Sequence, residues 1–188
     1  MGVNYTTNQA ISLKMICAFI HLINVIFYGN MVYSGRAESP PTTTMEVFRM
    51  IYLAYGSNLH IPSMQYRCPT AKVLGTSILK GNRLVFSGVA TVEHDEESSV
   101  PVLLWEIQPE DEQALDRYEG FPHLYKKGFD KVELNGKTVD AMYYFMPHGY
   151  QRSAPIPSYY ELLRTAYQEL GFDTAVLEKA REFSEKHP

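Results

Sequence analysis

Asn135-Gly136 constrains the fold of this chain more than any other pair of residues. It interrupts the run "KGFDKVELNGKTVDAMYYFM" between two strand-like halves. A two-residue type I′ turn needs positive φ at both central positions, and Asn-Gly supplies it, so the run reads as an antiparallel hairpin. Strand signals recur upstream. Ile51–Ala54 reads as a buried strand, and "AKVLGTSILKGNRLVFSG" has the β-branched content and turn glycines of further strands. "GVATVEH" and "VPVLLWEI" read as two more, joined by a solvated acidic loop, "DEESS".

Helix signals lie between and after these runs. Asn58–Arg67 reads as a short helix despite Pro62, since proline is best tolerated in a first turn. "QPEDEQALDRYEG" has Pro109 in the first turn, then Glu110, Asp111 and Glu112 at the positive end of the helix dipole. Ala114, Leu115 and Tyr118 form its apolar stripe, and Gly120 is placed to cap its C-terminus. In "SYYELLRTAYQELG", Ser158 and Glu161 have capping-box spacing. Leu162, Leu163, Ala166 and Leu170 line one face, and Gly171 ends the helix. A last helix runs from about Asp173 to Lys186. The expected class is α+β, with five to seven strands and three or four helices.

The chain has 188 residues, enough for one ordinary domain with a real core. With 45% hydrophobic and 20% charged residues it reads as globular. Net charge is -4 with no Lys/Arg cluster, which argues against a nucleic-acid partner. The two cysteines, Cys17 and Cys68, lie outside any CxxC or Cys/His cluster, so neither a disulfide framework nor a structural zinc site is expected. Residues 1–49 differ from the rest: an apolar stretch, Met15 to Tyr33, is followed by the Ser/Pro/Thr-rich linker "SGRAESPPTTTM". Three readings are open for it: a signal peptide or anchor, a helix added to the domain, or an extension ahead of a working start at Met45 or Met50. His21, Asn24 and Asn30 weaken the membrane reading. Membrane association follows only if residues 11–33 are an anchor, and the expected location is cytoplasmic. Residues 50–188 form the domain.

Two local features can carry chemistry. A strand that ends in Tyr55-Gly56-Ser57-Asn58-Leu59 and runs into a helix leaves backbone N–H groups pointing at one spot, a place for an anion or oxyanion. Gly56 permits close approach and a positive φ, and Ser57 or Asn58 can cap the helix. An ordinary capped turn has the same pattern. Ser57 is not in a GxSxG context and has no indicated histidine partner, which weakens a serine hydrolase reading. Glu119 falls in the last turn of its helix, where the dipole disfavours a carboxylate, and burial beside Tyr118 and Phe121 adds desolvation of the same sign. Both raise its pKa towards the range useful for proton transfer. Spacing alone does not separate this from a surface glutamate before a capping glycine.

The order of motifs is more specific than any one of them. "YGSNL" after an apolar strand, then "GVATV", "LLWEI", "LDRYEG", "YYFM" and "PIPSYY", resembles the γ-glutamylcyclotransferase-like family from about Ile51 to Gly171. The resemblance implies a small mixed β-barrel flanked by helices. It implies that the loop Tyr55, Gly56, Ser57, Asn58 and Leu59 holds a γ-glutamyl group and that Glu119 is the catalytic acid/base. A substrate-contacting tyrosine falls on Tyr159, with Tyr160 adjacent. "VPVLLW" departs from relatives that often carry a glycine there, which touches strand packing and no catalytic group.

The reaction so implied is intramolecular. The substrate's α-amine attacks its own γ-carbonyl, closes 5-oxoproline and expels an amine. Neither metal nor cofactor is required, in keeping with the lack of a GxGxxG or GxxxxGK[ST] loop. Two alternatives stand beside it: a γ-glutamyl binding module without turnover, and removal of a γ-glutamyl protecting group in a biosynthetic pathway. The leaving group and the oligomeric state are open. The loop 146–157, with His148 and Arg152, either borders the leaving-group pocket or is packed surface.

Overall fold

The computed structural model describes residues 49–188. The expectations for residues 1–48, including the 11–33 anchor, lie outside the described residues. Strand β1 (Met50–Ala54) is the middle of a five-stranded sheet ordered β2-β3-β1-β5-β4. It pairs antiparallel with β3 (Val89–Ile107), from Met50 opposite Ile107 to Ala54 opposite Leu103. On its other side Tyr52 meets Met142 of β5 (Lys137–Phe145) in parallel. A central strand has neighbours on both edges, which is why its inner residues Tyr52, Leu53 and Ala54 are buried.

The two outer pairs are hairpins. β4 (Lys126–Leu134) returns as β5 through Asn135 and Gly136, whose φ values of 51° and 75° are those of the expected turn. β2 (Lys72–Ser87) returns as β3 through Gly88. Here the sequence reading needs correction. The glycines of "VLGTSILKG" do not turn the chain, and β2 is one 16-residue strand. Its register shifts beside Gly75 and Gly81, where positive φ lets a strand bulge and bend. "GVATVEH" and "VPVLLWEI" are likewise one strand. The acidic residues between them bulge from the ladder, since Asn82 pairs with His94 and Lys80 with Ser99. Five strands result because two expected breaks are bends.

Among the described residues four helices flank the sheet: α1 (Ile61–Arg67), α2 (Pro109–Glu119), α3 (Pro157–Glu169) and α4 (Ala175–Lys186). The architecture is the expected mixed α+β class. The ladder is not closed into a barrel; its edges β2 and β4 meet through a side chain, with Ser77 Oγ donating to the Glu133 carbonyl at 2.7 Å. α2 begins with a capping box of Gln108 and Asp111. The box expected at Ser158 and Glu161 does not form: Ile156 is the N-cap, Pro157 opens the helix, and Glu161 pairs with Arg164 at 2.6 Å. α3 buries Leu163, Ala166 and Tyr167, and α4 buries Leu177, Ala180 and Ser184. Ser184 Oγ accepts the Phe86 backbone N–H at 2.8 Å and so fastens α4 to β2. No helix among the described residues is long and apolar enough to cross a membrane.

Candidate active site

β1 ends at Ala54, and the chain turns through Gly56 into a short 3-10 turn, Ser57–Leu59, before α1. The expected helix over 58–67 is broken at His60, whose extended backbone separates the two pieces. The first N–H groups of any helix lack internal partners. Here Leu59 N–H already bonds the Gly56 carbonyl at 2.9 Å and His60 N–H the Ser57 carbonyl at 3.3 Å, so Ser57 and Asn58 carry the leading N–H groups. Gly56 has a φ of -109°, not the positive value its identity suggested. Space is its reason: a Cβ there would stand 3.0 Å from the Tyr159 hydroxyl.

The loop lines a small cavity together with Tyr52, Ala90, Glu119, Tyr125, Tyr144 and Tyr159. Glu119 is the last residue of α2, and Gly120 follows it at φ 64°, the left-handed cap that turns the chain away. The structure thus brings Tyr55, Gly56, Ser57, Asn58, Tyr159 and Glu119 together. Leu59 is not among them; its side chain is in the core, 1% exposed.

Asn58 is buried, and its side chain is fully engaged. Its Nδ2 donates to Glu119 Oε1 at 2.9 Å and to the Tyr52 hydroxyl at 2.8 Å. Its Oδ1 accepts from Arg67 Nη1 at 2.7 Å. Asn58 therefore holds the carboxylate from within the protein, a role different from the direct substrate contact expected of it. Ser57 Oγ shares a hydrogen bond with the Tyr118 hydroxyl at 3.2 Å. His60 turns to Ser63, at 2.7 Å.

Burial pushes the Glu119 carboxyl up to about 7, against the opposing Asn58 hydrogen bond and Arg67 charge. The direction is the one expected, but the surroundings differ. Tyr118 is half exposed, with the Arg67 guanidinium 3.7 Å over its ring, and Phe121 faces Lys127 and Tyr144. The carboxyl shares its cavity with Tyr52, Tyr55, Tyr125, Tyr144 and Tyr159. Burial also raises Tyr52, Tyr55, Tyr125, Tyr144 and Tyr159, so these phenols stay neutral around the carboxyl.

The cage is tied to the backbone. Tyr125 donates to the Ala90 carbonyl at 2.7 Å, and Tyr55 donates to the Tyr144 carbonyl. Tyr144 donates to Asp116 at 2.6 Å, and Lys127 Nζ holds that carboxylate at 2.7 Å. The Tyr159 hydroxyl accepts the Ala90 N–H at 3.2 Å, which leaves its own proton to donate. Sequence reasoning missed Tyr52, Arg67, Tyr125 and Tyr144. For Tyr52 and Tyr144 the available signal was a phenol inside an otherwise apolar strand; Arg67 and Tyr125 carried none. The loop 146–157 borders a different groove, where Arg152 forks onto Glu93 at 2.9 and 2.7 Å. His148 and Arg152 are not in the Glu119 cavity.

The site is a strand-to-helix loop whose leading N–H groups share a cavity with a part-buried carboxyl raised to about 7. The profile of the family described as Gamma-glutamyl cyclotransferase, AIG2-like, matches residues 52–162, which contain both the loop and Glu119. The chain belongs to that family. A solved structure titled Gamma-glutamyl cyclotransferase superposes with a TM-score of 0.64 at 24% identity, over 71% of this chain and 86% of its own. The uncharacterized protein loc79017 from Homo sapiens gives 0.64 at 25% identity, over 70% and 86%. YkqA from Bacillus subtilis gives 0.61 at 20% identity, over 74% of this chain and 55% of its own. A search of the curated proteins finds no match. Family and fold together support a function of cyclotransferase type.

Proposed function

We propose that the protein cyclises a γ-glutamyl amide to 5-oxoproline and releases the amine, with Glu119 as general acid/base. The observation that carries this reading is the Glu119 carboxyl, raised to about 7 and held by Asn58 beside the Tyr55–Asn58 loop. A carboxyl with that pKa is ionised often enough to take a proton and acidic enough to return it.

Ionised Glu119 takes one proton from the substrate's α-ammonium. The freed amine attacks the γ-carbonyl carbon, and the carbonyl electrons move to oxygen. Collapse of the tetrahedral centre breaks the bond to the leaving nitrogen, which receives the proton from Glu119. The attacking nitrogen sheds its second proton to solvent and becomes the lactam N–H. Holding amine and carbonyl together contributes up to about 7–11 kcal/mol in favourable ring closures. The N–H groups of Ser57 and Asn58 are suited to the substrate carboxylate or the developing oxyanion, and Tyr159 can donate its free proton to a substrate oxygen.

The test is a panel of γ-glutamyl amino acids and γ-glutamyl amines, with 5-oxoproline detected by mass spectrometry. Product from at least one member is expected. Tight binding of a panel member with no product over hours would instead establish a binding module. The substrate that turns over fastest identifies the leaving group, including any protected biosynthetic intermediate.

A further inference from the structure

We infer that Arg67 is a positioning residue for Glu119, acting through the side-chain amide of Asn58. This rests on the acid/base reading of Glu119 and adds a residue to it. The geometry starts from donor and acceptor types. Arginine donates and cannot accept, so the Asn58 atom 2.7 Å from Arg67 Nη1 must be the carbonyl oxygen. That choice fixes the other end of the amide. Its NH₂ group then faces Glu119 and Tyr52, at 2.9 and 2.8 Å. A flipped amide would set a carbonyl oxygen against the carboxylate and leave the guanidinium facing NH₂, so both contacts would turn repulsive.

Arg67 is itself held from a second direction. Its Nη2 donates to the Tyr118 hydroxyl at 2.8 Å, and the guanidinium lies on the Tyr118 ring. Tyr118 precedes Glu119 on α2, so Arg67 at the end of α1 grips the same helix end twice, once directly and once through Asn58. The other titratable groups facing the carboxyl are phenols: Tyr52 from β1, Tyr55 from the loop after it, Tyr125 from the segment before β4, Tyr144 from β5 and Tyr159 from α3. All are neutral near pH 7. Arg67 is therefore the charged group acting on Glu119 among the described residues, and it favours the ionised form.

The test uses Arg67→Met, which keeps the stem and removes charge and donors, with Arg67→Gln as a second variant if the first does not fold. Glu119 is titrated directly by ¹³C NMR of carboxyl-labelled protein, with Glu119→Gln identifying its signal. Loss of the cation and of the oriented amide act in the same direction, so the midpoint should rise above that of the unsubstituted protein in either variant. On the best γ-glutamyl substrate, kcat should fall on the order of 100-fold, the scale of a misplacement of about 1 Å, with a smaller change in KM. The acid limb of the pH–rate profile should move to higher pH, because activity needs ionised Glu119. In an Asn58→Leu background the same Arg67 substitution should cost at most a few-fold more, since the route through the amide is already cut and only the Tyr118 contact is left to lose. A Glu119 midpoint unchanged by loss of Arg67 would overturn the inference, as would fully additive losses with Asn58→Leu. If no γ-glutamyl compound turns over, the titration still decides the role of Arg67, and the failure belongs to the reaction assigned to the site.

Discussion

Glu119 should cost the protein stability, and the cost should depend on pH. The perturbation is Glu119→Gln, which keeps size and the acceptor for Asn58 while removing the titrating group. The carboxyl is held at about 7 in the fold against an ordinary value of 4.5. At about 1.36 kcal/mol for each tenfold in acidity, that difference is about 3 kcal/mol, a ceiling because the residue is only part-buried. The sign follows from proton counting. Between pH 4.5 and 7 the folded chain keeps a proton that the unfolded chain has released, so stability falls as pH rises. Below this window neither state pays, and above it the whole cost is present. Urea unfolding of both proteins at pH 4, 6 and 8 measures it. The advantage of Glu119→Gln should grow with pH by up to about 3 kcal/mol, or roughly 6–12 °C in Tm. Gained or lost hydrogen bonds offset the curves equally at every pH, so the slope is the signal. An advantage flat with pH, or one that shrinks as pH rises, would refute the reasoning.

Other substitutions probe the supports of the site. Gly56→Ala should lose about 1–3 kcal/mol by urea unfolding, because its Cβ meets the Tyr159 hydroxyl at 3.0 Å, and Tyr159→Phe in the same chain should recover most of it. Gly120→Ala forces a side chain into φ 64° and should cost about 1–2 kcal/mol, measured the same way, with reduced turnover because the end of α2 carries Glu119. Ser184→Ala removes the acceptor of a buried N–H on Phe86. It should cost about 1–3 kcal/mol and speed amide hydrogen exchange at Phe86, while kcat stays unchanged.

The parts of the fold that sequence revealed are those encoded within a few residues. Asn135-Gly136 made the β4–β5 turn, and Pro109 with Gly120 bounded α2. Glu119 was singled out by the order of motifs, since a carboxylate one residue before a helix cap reads equally as surface. Gly75 and Gly81 misled because a positive-φ glycine serves a bulge as well as a turn, and only the partner strand decides which. Ser158 and Glu161 had the right spacing, but Pro157 took the first helical position and shifted the cap to Ile156. The tyrosine cage was illegible as a site. Tyr52, Tyr125 and Tyr144 are separated by most of the domain, and the sheet order that gathers them is a tertiary result. Arg67 is the sharpest case: its meaning lies in which end of an asparagine it turns towards a glutamate 52 residues on.

The central claim is that Glu119 carries the proton in a γ-glutamyl cyclisation. Its most direct measurement is the rate of 5-oxoproline formation by the unsubstituted protein and by Glu119→Gln, each shown to be folded, on the best substrate of the panel. The account predicts steady product from the first and a loss of at least about 100-fold in the second, the low end of what a positioned acid/base contributes. Equal rates from the two proteins would contradict it.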